Sequence, residues 1–162
     1  MLGLLQPPRL RVLIVCTANV CRSPLAEALL RDRLGRVPAG RRIAVSSAGT
    51  RVAAPGRAPD PRLRPLLAEL GALLPRIRAR QATGALLARA DRILVMEQSH
   101  ADELAELAGG ELPQLSLLDP AGDIPDPYFA DGETFRAVAG QIVAAVDRRA
   151  EELLASLVRG SV

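Results

Sequence analysis

The run Val12-Leu13-Ile14-Val15 gives way at Cys16 to seven small or polar residues, Cys16-Thr17-Ala18-Asn19-Val20-Cys21-Arg22. Unbroken branched apolar residues are the mark of a strand buried on both faces, which occurs in parallel sheets covered by helices. Ser23-Pro24 then reads as a helix start, with Ser as N-cap and Pro at the first helical position, ahead of the helix-forming Leu25-Ala26-Glu27-Ala28-Leu29-Leu30. A buried strand, a tight loop and a helix N-terminus converge their N–H groups on one point. Such a point attracts anions.

The loop carries chemistry as well as charge. Cys16 falls at the carboxyl end of the strand, where a ring of N–H dipoles favours thiolate over thiol. Arg22, six residues on, can fork two oxygens of a tetrahedral oxyanion. The Ser23 hydroxyl is placed to hydrogen-bond the thiolate, and the N–H groups from Thr17 to Arg22 to hold non-bridging oxygens. This layout suits thiolate attack on a phosphate monoester. Asn19 is read as a structural member of the loop, because Asn tolerates positive φ and its amide can tie the loop together.

The remaining chain alternates strand and helix signals. A first strand is expected over 10–15, a helix over 24–34 ended by Gly35, and a second strand over 41–46. Pro55, Gly56, Pro59 and Pro61 mark a long loop. A helix follows over 62–70, or from Pro65 only, with Gly71 as its stop. Thr83 should cap a helix over 84–90, before a third strand over 91–97. Ser99-His100-Ala101-Asp102 reads as a capping box opening a helix to about residue 108, with His100 on its surface. A fourth strand is expected over 112–118. Phe135, Val138, Ile142, Val146, Ala150, Leu153 and Leu157 then recur at three- and four-residue steps, as a long amphipathic helix would place them. No strand pair shows a hairpin signal. The fold class is therefore α/β, one domain over 9–160 with a four-stranded parallel sheet, helices on both faces and the anion loop after the first strand. Residues 1–8 read as a loose lead-in.

At 162 residues the chain has room for one ordinary core. That core must be aliphatic, since Tyr128, Phe129 and Phe135 are its whole set of aromatics. The net charge is only +3, carried overwhelmingly by scattered Arg, with no basic run interleaved with aromatics. Nucleic acid is therefore not an expected partner, whereas a modest positive field suits an anionic substrate. Two cysteines and one histidine do not make a four-ligand zinc site, so no metal or other cofactor is expected. No apolar stretch reaches membrane-span length and the start lacks signal-peptide character, so a cytoplasmic location is expected. Oligomeric state is undecided by sequence, with a monomer as the default.

Thiolate attack also needs a proton donor for the leaving oxygen. The Pro- and Asp-rich stretch 119–131 offers Asp119, Asp123, Asp126 and Asp131, and composition alone does not choose among them. Asp119 reads equally as a turn residue, Asp123 as a solvated charge and Asp131 as a helix N-cap.

The segment Cys16-Thr17-Ala18-Asn19-Val20-Cys21-Arg22-Ser23-Pro24 closely resembles the low-molecular-weight protein tyrosine phosphatases, whose loop reads C-x-G-N-x-C-R-S-P. The resemblance extends through Ser47-Ala48-Gly49-Thr50, Pro59-Asp60, Ala79-Arg80-Gln81, residues 93–97 and Asp126-Pro127-Tyr128. It implies hydrolysis of phosphotyrosine in protein substrates through a phosphocysteine on Cys16, with Asp126 as proton donor and Tyr128 and Phe129 walling the pocket. It also implies that Cys21 acts as a resolving thiol after oxidation of Cys16. Two departures stand out. Ala18 occupies the family's usual Gly, which narrows the loop's conformations by one methyl. Arg51-Val52-Ala53-Ala54 offers no aromatic where the family often has one, so one wall of the ring slot is expected to be apolar or, through Arg51, basic.

Two further enzyme classes use this loop. Thioredoxin-coupled arsenate reductases need cysteines beyond it, and none follows Cys21, though reduction by a small-molecule thiol stays open. Protein arginine phosphatases carry Thr at the position of Val20. A binding module without catalysis ranks last, because Cys16, Arg22 and the Asp are all present.

Overall fold

The structure, a computed structural model, describes residues 7–160. Residues 1–6 of the expected lead-in lie outside the described residues. Four parallel strands, β1 (Leu10–Cys16), β2 (Ile43–Gly49), β3 (Arg92–Val95) and β4 (Leu115–Leu117), pair in the order β2-β1-β3-β4. The apolar run of β1 therefore occupies an interior position, as its two-sided hydrophobicity requires.

Successive residues of β1 point to opposite faces. Val12, Ile14 and Cys16 join Ile43, Val45 and Leu94 beneath α1 (Arg22–Gly35), α2 (Leu63–Glu69) and α5 (Gly132–Arg159). Leu13 and Val15 join Ala48, Ile93 and Val95 beneath α3 (Gly84–Arg89) and α4 (Gln98–Ala108). The anticipated α/β architecture is thus present, with helices on both faces. The core is aliphatic apart from Phe135, whose ring lies under the Arg62 guanidinium at 4.2 Å.

Local chemistry shifts several boundaries. The second strand starts at Ile43 and not at residue 41, because Pro38–Arg42 form a 3₁₀ turn with Pro at its start. Gly40 in that turn touches the end of α1, and a Cβ there would lie 2.3 Å from the Leu34 carbonyl oxygen. The fourth strand shrinks to three residues at the sheet edge, with a single partner strand. In α2, Pro65 sits in the first turn, where its missing N–H leaves no helical bond unmade. Asp131 caps α5 through the Thr134 N–H at 2.7 Å, as expected.

Two helix starts differ from expectation. Helix α1 begins at Arg22 with Cys21 at the N-cap, so Ser23 is inside the helix and does not cap it. Helix α4 is capped by Glu97 and His100, which bond reciprocally across the first turn, and not by Ser99 and Asp102. His100 is consequently 1% exposed and is not a surface residue. Sequence periodicity misses this, because a histidine ring accepting an N–H is an uncommon substitute for the Glu of a capping box.

Candidate active site

The loop from Cys16 to Arg22 emerges at the carboxyl end of β1, and its neighbours hold it from three sides. The Cys16 and Thr17 carbonyls accept from the Thr50 and Arg51 N–H groups, each at 2.9 Å, and the Val20 carbonyl accepts from the Asp60 N–H at 2.8 Å. Gly49 makes the second contact feasible: a Cβ there would stand 2.4 Å from the Thr17 carbonyl oxygen. The Ser-Ala-Gly-Thr segment is therefore a backbone docking surface for the loop. Among the described residues, no N–H from Thr17 to Cys21 donates to another protein group, so the loop presents a set of uncommitted backbone donors.

Asn19 has φ 55°, the one positive value among described non-glycine residues. Its amide nitrogen donates to Ser23 Oγ at 2.8 Å and to Ser47 Oγ at 2.9 Å, while its oxygen accepts from the Arg80 N–H at 3.0 Å. Each serine oxygen thus receives a hydrogen from Asn19, and each hydroxyl hydrogen is directed elsewhere. Ser47 donates to Glu27 Oε2 at 2.7 Å, and Ser23 faces Cys16 Sγ at 3.0 Å. The Ser23 hydrogen then has two acceptors in reach, the sulfur at 3.0 Å and the Ala48 carbonyl at 3.5 Å, and the shorter contact favours the sulfur. Burial raises the Glu27 carboxyl above its ordinary pKa, against the opposing pull of the Ser47 hydrogen bond and the Arg31 charge. Ala18 has no positive φ, so its methyl imposes no left-handed strain.

Arg22 is 2% exposed and fully oriented. Its Nη1 donates to Glu97 and, at 2.8 Å, to the Ile124 carbonyl, while Nη2 reaches Thr17 Oγ1 at 3.3 Å and stands 3.7 Å from Asp126 Oδ2. Thr17 is in turn held by His100. Nδ1 of His100 accepts from the Glu97 N–H at 3.1 Å, so Nε2 carries the proton and donates to Thr17 Oγ1 at 2.8 Å. Sequence reasoning left both Glu97 and His100 out of the site.

Burial, followed by the Arg22 charge, lowers the pKa of His100. A depressed histidine pKa means that folding favours the neutral ring. The stability this contributes is present above the ordinary value near ~6.5 and is lost as pH falls through the lower folded value. His100→Gln should therefore flatten the fall in Tm between pH 7 and 5 relative to wild type. Parallel Tm curves would contradict the assignment.

Four carboxylates compete for the same role in sequence, and the structure separates them. Asp119 accepts from the Ala121 N–H and from Gln141, and Asp131 caps α5. Asp123, expected as a solvated charge, accepts from the Gln98 N–H at 2.9 Å and so closes the first turn of α4. Asp126 alone of the four lines a cavity of about 230 Å³ with Cys16, Ala18, Val20, Cys21, Arg22, Arg57, Tyr128 and Phe129. Its Oδ1 accepts from the Tyr128 N–H at 3.1 Å, which fixes the carboxylate at the cavity rim.

Tyr128 and Phe129 meet edge to face, with ring centroids 4.7 Å apart, and Phe129 is 95% exposed. Arg57 adds a basic group to the lining, and its Nη2 donates to the Tyr128 hydroxyl at 3.0 Å. Arg51 does not supply it, being ion-paired with Glu103 at 3.1 Å outside the cavity. Cys16 and Cys21 are both buried free thiols. Burial first, then the Asp60 and Cys16 charges, push the Cys21 thiol up to about 12. Among the described residues no three His, Cys, Asp or Glu side chains gather as a metal site would, and no helix is long and apolar enough to cross a membrane.

The comparisons agree with this geometry. Residues 11–161 match the family model of low molecular weight phosphotyrosine protein phosphatases. A low molecular weight protein-tyrosine-phosphatase of Streptomyces coelicolor is 34% identical over 145 residues, 83% of this chain and 88% of that protein. Among solved structures, Wzb of Vibrio vulnificus, in complex with benzylphosphonate, superposes with a TM-score of 0.79 at 29% identity, over 88% of this chain and 98% of that one. The YwlE arginine phosphatase of Geobacillus stearothermophilus superposes with a TM-score of 0.81 at 30% identity, over 93% and 96%. With the phosphate-loop sequence, the parallel sheet behind it and these matches in agreement, the chain belongs to the low molecular weight phosphotyrosine protein phosphatase family.

Proposed function

We propose that the protein hydrolyses phosphotyrosine in protein substrates, with Cys16 as nucleophile, Arg22 as phosphate clamp and Asp126 as general acid and base. The observation that carries this reading is the meeting of Cys16, Arg22 and Asp126 with the Tyr128 and Phe129 rings around one cavity. Cys16 Sγ attacks phosphorus while Asp126 gives its proton to the phenolic oxygen, leaving a phosphocysteine and a free tyrosine. Water then attacks the phosphocysteine, Asp126 takes the water proton, and Sγ departs as a thiolate steadied by the Ser23 hydroxyl. The uncommitted amides of Thr17 to Cys21 and the Arg22 guanidinium hold the three equatorial oxygens throughout. The protein groups supply this electrostatic work without a metal. Of the two cysteines, Cys21 is the wrong nucleophile at neutral pH, because its thiol is held up at about 12.

The reading extends to compartment and assembly. A thiolate-dependent enzyme with two free cysteines suits the reducing cytoplasm, and a monomer is the assembly proposed.

Arginine phosphatase activity is the rival on this fold. Two aromatic side chains at the rim favour an aryl leaving group, and Val20 is not the Thr that resemblance associates with arginine-specific members. Assayed side by side, a phosphotyrosine peptide should turn over faster than a phosphoarginine peptide or arsenate with thiols. Faster turnover of either competitor would replace the assignment.

Cys21 fits the role of resolving thiol. Peroxide converts a Cys16 thiolate to sulfenic acid, which removes one of the charges that hold the Cys21 thiol up; the Cys21 sulfur then attacks the Cys16 sulfur, water leaves, and the Cys16–Cys21 disulfide forms. Peroxide should therefore inactivate the wild type reversibly, with a dithiol restoring activity. Cys21→Ser should stay active but recover poorly after the same exposure. Equal recovery of the two proteins would leave Cys21 a packing residue only.

A further inference from the structure

Helix α3 is short, six residues, and its Leu86 and Arg89 line a depression together with residues of β1 and β2. It is a cleft of about 250 Å³, separate from the proposed catalytic cavity. Its floor is the β1–β2 pair, where Arg11 and Leu13 lie in register with Ala44 and Ser46. Arg89, at the end of α3, and Arg80 form its walls.

The electrostatics of the cleft are one-sided. Three guanidinium groups line it, and no Asp or Glu does. None of the three forms an ion pair, although eight other arginines of the described chain do. Asp91 beside the cleft is engaged by the Arg11 backbone N–H at 2.7 Å. Ser46 adds a hydroxyl to the lining, on the same strand face as Ala44. Arg80 is attracted by the Glu27 carboxylate, but no carboxylate lines the cleft itself, and an anion that bridges the three guanidinium groups offsets their mutual repulsion.

Arg80 connects this cleft to the catalytic loop. Its N–H donates to Asn19 Oδ1 at 3.0 Å, its Nε to the Ser47 carbonyl at 2.9 Å, and its carbonyl accepts from the Gly49 N–H at 2.9 Å. Asn19 orients the Ser23 hydroxyl, so a shift of Arg80 reaches Cys16 through three hydrogen bonds, Arg80 to Asn19, Asn19 to Ser23 and Ser23 to Cys16.

We propose that the cleft is a second anion site, taking a small phosphoryl-bearing anion on Arg11, Arg80 and Arg89, and that its occupant modulates the catalytic loop through Arg80. Arg11 and Arg89 are exposed and lie outside the catalytic machinery, so Arg11→Gln/Arg89→Gln should fold and keep basal activity. Inorganic pyrophosphate is the probe. Calorimetric titration should give two equivalents bound by wild type, one displaced by vanadate from the catalytic cavity, and one equivalent bound by the double variant. Pyrophosphate should change kcat as well as apparent KM for wild type, but raise only apparent KM for the double variant. One equivalent in both proteins, or two in both, would overturn the site. Two equivalents with unchanged kcat would overturn its link to the loop.

Discussion

Cys16→Ser should lower turnover by roughly 10⁴-fold or more, the scale on which loss of a covalent nucleophile registers. A serine hydroxyl is scarcely ionised at neutral pH, and the loop's donors do not compensate for the missing thiolate. Everything else in the site survives the change. The amides of Thr17 to Cys21 remain uncommitted, Arg22 stays fixed by Glu97 and the Ile124 carbonyl, and the new hydroxyl can pair with Ser23. The variant should therefore fold, and should still bind phosphate or sulfate with an affinity close to that of the wild type. Calorimetry beside a turnover assay separates the two effects. Residual hydrolysis near the wild-type rate would mean that another group attacks phosphorus. Loss of phosphate binding would mean that the sulfur, and not the amide cradle, holds the oxyanion.

Asp126→Asn should slow hydrolysis of phosphotyrosine by roughly 10²–10⁴-fold, the usual worth of a positioned general acid. The carboxylate sits at the cavity rim, 3.7 Å from Arg22 Nη2 and pinned by the Tyr128 N–H. An asparagine oxygen preserves that N–H contact, so the loop should keep its shape while losing the proton. The defect in kcat/KM, which reports the first phosphoryl transfer, should shrink across a series of aryl phosphates as the leaving phenol becomes more acidic, because such groups depart without protonation. Equal losses along the series would remove Asp126 from the acid role. A larger loss from Asp119→Asn would move the role there, despite the engagement of Asp119 with Ala121 and Gln141.

What was legible in sequence was local. The strand, loop and helix of 10–35 are one continuous segment, and their residue types alone imply an anion site bearing a thiol and a guanidinium. The doubly buried β1 likewise implied helices on both faces. The proposed proton donor is different: four aspartates within 13 positions share one composition, and only the hydrogen bonds of Asp119, Asp123 and Asp131 set those three apart from Asp126. His100, Glu97 and Arg57 were missed because each reaches the site across the fold, from 75 positions away in the case of Glu97 and Arg22. Their individual sequence contexts are those of ordinary helix and loop residues. Ser23 was half legible. Its pairing with Cys16 follows from the loop, but its assignment as N-cap failed because α1 starts at Arg22, with Cys21 at its cap.

The central claim is that phosphate passes through a bond to Cys16, and trapping that bond tests it most directly. Asp126→Asn suits the purpose, because with an activated aryl phosphate it forms the intermediate readily but lacks the base that helps water remove it. Rapid mixing of this variant with such a substrate, followed by quenching and peptide mass analysis, should find close to one phosphoryl group per chain, on Cys16. A phosphoryl group on Cys21 or Ser23, or none on the protein while aryl alcohol is released, would contradict the account.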